Sequence, residues 1–249
     1  MRLVDTILLL TLFLGSGPAL GCASGPIENV QTSEDDYQEE RLEMVAWQLE
    51  RREIRNPRVL ESMRRVPRHL FMPKEVRPHA YADRALPIGE GQTISQPYIV
   101  ALMTQVADPR PEDRVLEVGT GSGYQAAVLG EVVKEVYTIE IVPALAEWAR
   151  SALSAQGYDN VFVREGDGYR GWPEQAPFDI VMVTAAAREV PQPLIDQLAE
   201  GGRLVMPVGR STGIQRLILI TRENGEIRRD FIASVRFVPM TGEAQQAPR

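Results

Sequence analysis

Three carboxylates around one glycine turn are the residues best placed to do chemistry in this chain. Arg114-Val115-Leu116-Glu117-Val118 reads as a short apolar strand that runs into Gly119-Thr120-Gly121-Ser122-Gly123-Tyr124 and then an Ala/Val/Leu-rich helix to about Val133. Glycines at such a turn let the backbone bend sharply and let a ligand approach where a Cβ would collide. Val136 to Ile139 predicts the next strand, with Glu140 at its carboxyl end. An acid there accepts hydrogen bonds from both ribose hydroxyls of a nucleoside. Val161-Phe162-Val163-Arg164 then leads into Gly166-Asp167-Gly168, where Asp167 is placed to accept from an adenine amino group.

A dinucleotide site is the obvious competitor. Its fingerprint is G-x-G-x-x-G, which packs a helix N-terminus against pyrophosphate. Here the spacing is G-x-G-x-G, and Tyr124 stands where the last glycine would be required. Glu117, just before the turn, is expected to repel phosphate and favour a cationic sulfonium. Both features select a nucleoside without phosphate, S-adenosylmethionine. The candidate cofactor contacts are Glu117, Gly119, Thr120, Gly121, Ser122, Gly123, Tyr124, Glu140, Asp167 and Gly168. The bland alternative makes the glycines turn punctuation and the acids solvated surface. The ordered series of strand, turn, helix, Glu140 and Asp167 weighs against it.

Upstream, Ala85 to Val100 forms a loop with two glycines and two prolines, followed by a helix starting near Pro97. Ser95 can be the N-cap of that helix. A helix N-terminus with free N–H groups and a hydroxyl is also a carboxylate-binding site.

These residues need a scaffold. Asp179 to Val183 leads to Thr184-Ala185-Ala186, Gly201 to Val208 gives a turn and a fifth strand, and Gln215 to Thr221 with Ile227 to Phe231 forms a hairpin about Asn224-Gly225. Strands alternating with helices predict an α/β fold, a Rossmann-like doubly wound, mostly parallel sheet with ligands at the strands' carboxyl ends. N-terminal helices precede it, one from Leu42 to Leu49 and one from Pro57 to Arg65. Val235 to Met240 is either an edge strand or part of a peptide groove, with the groove slightly favoured. The net charge of -7 argues against a nucleic-acid partner. One cysteine, Cys22, and two histidines ten residues apart, His69 and His79, give no metal site.

The first residues have a basic start, an apolar run from Ile7 to Leu14 and small residues up to Cys22, the pattern of an export signal. Leu20-Gly21-Cys22 resembles a lipoprotein lipobox, with Ala19 where leucine is usual; cleavage after Ala23 is the rival. The expected organisation is a signal over residues 1–23, an acidic tether over 24–40, a catalytic domain over 41–240 and a flexible tail over 241–249. Within the domain, 41–110 carries the N-terminal helices and substrate loop and 111–240 binds cofactor. The expected location is the cell envelope or periplasm, lipid-anchored if Cys22 is lipidated; the alternative is the cytoplasm. Oligomeric state is not legible.

The chain resembles the bacterial protein-L-isoaspartate O-methyltransferases over roughly Arg41 to Met240. The resemblance rests on Arg65-Val66-Pro67-Arg68, Leu86-Pro87-Ile88-Gly89, Gly91-Gln92-Thr93-Ile94-Ser95-Gln96-Pro97-Tyr98, Leu116 to Tyr124, Gly166-Asp167-Gly168, Pro177-Phe178-Asp179, Thr184-Ala185-Ala186 and Val235-Arg236-Phe237-Val238-Pro239. It implies methyl transfer from S-adenosylmethionine to the free α-carboxylate of L-isoaspartyl residues in damaged proteins and peptides. The ester would then close to succinimide and return partly to aspartate. It also implies Ser95 as the active-site residue, with Gln92, Thr93, Ile94 and Gln96 beside it in substrate binding. A carboxylate is ionised near neutral pH, so this transfer needs no general base. A non-catalytic envelope protein that kept the fold, and a small-molecule methyltransferase, are the rival functions.

Overall fold

The computed structural model describes residues 37–210 and 213–245; the expected signal, Cys22 and most of the acidic tether lie outside the described residues. The chain enters through α1 (Gln38–Glu43), which continues as a π-helical stretch, Met44–Leu49. The last three residues of the expected tether, Gln38, Glu39 and Glu40, are therefore helical. Tyr37 explains the early start: its ring stacks on His69 at 4.4 Å, so the domain already has a buried contact there. α2 (Pro57–Arg65) begins on the Asn56 side chain, which accepts from the Arg58 and Val59 amides.

The expected loop after Ala85 is in fact a small antiparallel hairpin, β1 (Leu86–Gly89) with β2 (Gln92–Ile94). Glu90 and Gly91 both take positive φ, +52° and +69°, the backbone of a tight two-residue hairpin turn. α3 (Pro97–Ala107) follows, with Gln96 rather than Ser95 as its N-cap.

The rest builds one seven-stranded sheet. In chain order come β3 (Arg114–Val118), α4 (Tyr124–Gly130), β4 (Glu135–Glu140), α5 (Pro143–Ala155), β5 (Val161–Glu165), β6 (Phe178–Val183), α6 (Gln192–Asp196), β7 (Leu198–Val208), β8 (Gln215–Glu223) and β9 (Glu226–Val235). The spatial order is β5-β4-β3-β6-β7-β8-β9; the first five run parallel, and β8 and β9 are added antiparallel. Order reverses at β3, so β3 is central and its carboxyl end is where a ligand crevice opens. Its run Val115 to Val118 is buried throughout, as a strand covered on both faces requires.

One face of the sheet, with Val115, Val136, Ile180, Met182 and Val205, packs under the N-terminal helices and α4. The other, with Leu116, Val118, Ile139, Val181 and Leu204, is covered by Leu194 and Ile195 of α6 and by turns around Tyr169 and Trp172. Between β5 and β6 the expected helix is replaced by two short 3-10 turns, Gly168–Arg170 and Pro173–Gln175. Three glycines and two prolines between Gly166 and Pro177 explain that. Residues 241–245, the expected start of a free tail, are folded as well, with a 3-10 turn over Gly242–Gln245. Among the described residues no helix is long and apolar enough to cross a membrane.

Candidate active site

The turn after β3 is pinned from both sides. The Gly119 and Thr120 amides donate to the Ile139 carbonyl at the end of β4, at 2.9 and 3.2 Å. The Thr184 hydroxyl, at the end of β6, donates to the carbonyls of Val118 and Gly119 at 3.0 and 2.6 Å. Gly119 takes φ +99°, and a Cβ there would overlap the Thr184 hydroxyl. The turn is thus held open by contacts that only glycine permits.

A cleft of about 820 Å³, counting its open mouth, lies over this turn. Gly119, Thr120, Gly121, Ser122, Tyr124, Glu140 and Gly168 border it, as do Gln92, Thr93, Ile94 and Ser95. Glu140 is nearly buried and doubly anchored: Gly121 N–H donates to Oε2 at 2.7 Å and Val142 N–H to Oε1 at 3.0 Å. A carboxylate has about four acceptor sites, so two remain for a ligand's diol. Beside it Ile141 is 36% exposed, an apolar surface inside a polar rim. These features fit a nucleoside bearing an apolar base face and a free ribose. Among the described residues no group of three His, Cys, Asp or Glu could hold a metal ion.

Several sequence-predicted residues are placed differently. Glu117 does not border the cleft. It is fully buried between Thr138 and Met182, with Thr138 Oγ1 donating to its Oε2 at 2.5 Å and its Oε1 unpartnered. Burial raises its pKa to about 8; the Thr138 hydrogen bond opposes the shift and the Glu140 charge adds to it. A mostly protonated Glu117 cannot repel phosphate at neutral pH, so that rationale for its role fails. It acts instead at the end of a hydroxyl chain, since Thr138 Oγ1 lies 2.6 Å from Thr120 Oγ1 in the turn.

Gly123 also lies outside the cleft. Its φ of +88° and its approach to Leu153, 3.2 Å from an added Cβ, serve the packing of α4 on α5. Tyr124 borders the cleft, but its ring is core: it lies 5.9 Å from Phe71 and beneath the buried Arg68 guanidinium at 4.8 Å. Asp167 does not border the main cleft; it lines a neighbouring depression that shares Ile139 with it. The Tyr169 amide holds its Oδ1 at 2.9 Å and the Glu243 amide holds its Oδ2 at 2.8 Å.

The free helix N-terminus expected near Ser95 is not there either. Pro97 has no N–H, the Ile99 and Val100 amides donate to Gln96 O, and Asp83 Oδ1 accepts from Tyr98 N–H at 3.4 Å. The start of α3 therefore offers a carboxylate no free amide among these residues.

Ser95 stands at a junction. A second cavity, lined among others by Ala85, Gln96, Ile99, Ile214, Arg236 and Phe237, shares Thr93, Ser95, Thr184 and Val238 with the cofactor cleft. Of the two readings weighed for Val235 to Met240, the edge strand covers only Val235, where β9 ends; the residues after it border the two cavities. They are fastened by Ala186 N–H to Val238 O at 2.9 Å and Met240 N–H to Ala186 O at 2.8 Å. Sequence reasoning missed Thr184, Gln125, Ile141 and Val142 as cleft residues. Thr184 had a signal in the Thr-Ala-Ala run, and Ile141 and Val142 had one in following Glu140 directly; Gln125 borders the cleft through the packing of α4. His69 is buried, stacked and held neutral by a pKa lowered to about 4, chiefly through desolvation and then Arg41 and Arg77.

Comparison with known proteins agrees with this geometry. The family model for protein-L-isoaspartate(D-aspartate) O-methyltransferase matches residues 39–245. A protein-L-isoaspartate O-methyltransferase of Opitutus terrae is 53% identical over 224 residues, covering 90% of this chain and 94% of that protein. Protein-L-isoaspartate O-methyltransferase 2 of Syntrophobacter fumaroxidans is 50% identical and covers 95% and 96%. Among solved structures, a protein-L-isoaspartate O-methyltransferase superposes with TM-score 0.74 at 29% identity, covering 82% of this chain and 67% of that one. A Plasmodium falciparum structure described as the same kind of enzyme, in complex with S-adenosyl-L-homocysteine, gives TM-score 0.71 at 28% identity, covering 81% and 98%.

Glu140→Ala is expected to weaken S-adenosylhomocysteine binding about 10- to 100-fold, the scale of lost charge-assisted hydrogen bonds. Calorimetry on a variant with an unchanged unliganded melting temperature checks this. Glu117 gives a pH prediction. Its folded pKa is raised, so its contribution to stability is full below the unfolded value and lost as pH climbs toward about 8. Glu117→Gln lacks that loss, so its stability advantage over wild type should grow from pH 5 to pH 8 in denaturant titrations. A constant difference would place the Glu117 proton elsewhere.

Proposed function

The chain belongs to the protein-L-isoaspartate(D-aspartate) O-methyltransferase family, and from that premise we propose how its own residues divide the work of repair methylation. The observation that carries the reading is the junction at Ser95, where a second cavity and the cofactor cleft share walls. Bound S-adenosylmethionine supplies an electrophilic methyl carbon on a sulfonium. Glu140 holds the ribose hydroxyls with the acceptor sites left by Gly121 and Val142. Asp167, beyond Gly168, accepts from the adenine amino group. Ile141 lies against the base.

The acceptor is the α-carboxylate of an L-isoaspartyl residue in a damaged protein or peptide, lying in the second cavity. It is already anionic, so no side chain has to remove a proton. Ser95 orients one carboxylate oxygen with a neutral hydroxyl, which leaves the other oxygen nucleophilic. A cation in its place would blunt the nucleophile. Catalysis is thus mainly alignment of oxygen, methyl and sulfur with water excluded by Thr184, Val238 and the hairpin β1–β2. The released ester closes to succinimide, whose hydrolysis returns part of the product to aspartate.

Residues 1–23 are assigned to export, with Cys22 as the lipidated mature N-terminus or Ala23 as the last residue removed. The support is the basic start, the apolar core and the small-residue exit. On this reading the enzyme works in the cell envelope or periplasm, and the alternative is the cytoplasm.

Methyl transfer measured on paired isoaspartyl and aspartyl peptides tests the function: only the former should be methylated, and equal methylation of both would remove the repair assignment. In the same assay Ser95→Ala should lower kcat about 10- to 100-fold with cofactor affinity unchanged, the scale of a misaligned reactant. Mass spectrometry of the protein from its native host should find a lipid-modified Cys22 or a chain beginning at Ser24; an intact Met1 would return it to the cytoplasm.

A further inference from the structure

Asp167 is held in an unusual way. Its Oδ1 is fixed from within its own turn by the Tyr169 amide, while its Oδ2 is fixed by the amide of Glu243, 76 residues later in the chain. Gly242 precedes that amide with φ +78° and lies flat on the carboxylate; an added Cβ would be 2.7 Å from Cγ and 2.8 Å from Oδ1. Thr241 and Met240, immediately before, border the cofactor cleft itself. The turn is also tied from outside, where Arg170 Nε donates to Glu243 Oε1 at 2.7 Å. A segment that merely ended the chain would not need a glycine pressed against a carboxylate.

We infer that the C-terminal turn Thr241-Gly242-Glu243 is a positioning element for base recognition: it fixes the rotamer of Asp167 so that the carboxylate's remaining acceptor sites meet the adenine amino group. This rests on the assignment of Asp167 to adenine made above. The two amides neutralise part of the carboxylate's charge and consume one acceptor site on each oxygen, leaving the other in a fixed direction. A carboxylate so oriented accepts from the 6-amino group of adenine and is opposed by the 6-oxo group of hypoxanthine. Selectivity for the adenosyl cofactor then depends on Thr241-Gly242-Glu243, whose Glu243 amide lies 76 residues along the chain from the carboxylate it holds. The exposed Arg170–Glu243 pair contributes little to this, because the essential donor is the Glu243 backbone amide.

Calorimetry on the full-length protein with S-adenosyl-L-homocysteine and S-inosyl-L-homocysteine tests it. Wild type should favour the adenosyl compound by about tenfold or more, as sites built to pair a polar group discriminate against analogues that lack it. Gly242→Ala displaces the carboxylate, and Glu243→Pro deletes the amide without adding bulk at position 242. Each should bring the ratio to within about threefold by weakening adenosyl binding alone, whereas Arg170→Ala keeps the wild-type ratio. Should Gly242→Ala fail to fold, Glu243→Pro decides. A folded Glu243→Pro variant with the wild-type ratio overturns the positioning role and leaves Asp167 as the base reader. A wild-type ratio near one removes Asp167 from base recognition and the clamp with it.

Discussion

The site depends on one steric constraint, the close approach of the β3 turn to the end of β6. Gly119 passes so near the Thr184 hydroxyl that no side chain fits between them. That approach lets Thr184 bond two carbonyls of the turn while Ile139 accepts two of its amides. Three adjacent strands are thereby locked together at their carboxyl ends, and the cleft is the space left above the lock. Glu140 comes into position as part of the same arrangement, because its carboxylate bonds the Gly121 amide. A preorganised acceptor of this kind need not be assembled when ligand binds.

Two glutamates twenty-odd residues apart at neighbouring strand ends end up with opposite chemistry. Glu140 keeps two backbone donors and faces the cleft, whereas Glu117 has one hydroxyl donor, one unpartnered oxygen and no solvent. Desolvation decides the second case: with so few compensating bonds, burial favours the protonated form. Glu117 therefore serves the turn through Thr138 and Thr120 rather than any ligand directly.

Much of the scaffold was legible because its signals are local. A strand buried on both faces is a continuous apolar run, and β3, β4 and β6 stand out for that reason. The tight turns at Glu90-Gly91 and Asn224-Gly225 require positive φ, yet only the second lay between runs regular enough to be read as a hairpin. Side-chain direction was less legible. Nothing in the sequence around Glu117 says that its carboxylate points into the sheet and that of Glu140 out of it. The amide donors near Ser95 looked free because Asp83, which takes one of them, lies on a different segment. The wall built by residues 236–241 was only half visible, since its partner Ala186 is some fifty residues away.

That wall also bears on synthesis. The cofactor cleft draws residues from Gln92 through Thr241, and the second cavity reaches Val238. A nascent chain still holding its last stretch in the ribosome lacks one side of both cavities. Its parallel strands can pair, yet the cleft has no enclosed form until residues 236–241 are free to pack. Such long-range closure is slow relative to local folding. Enclosure of the cleft therefore waits for residues 236–241 to reach the sheet.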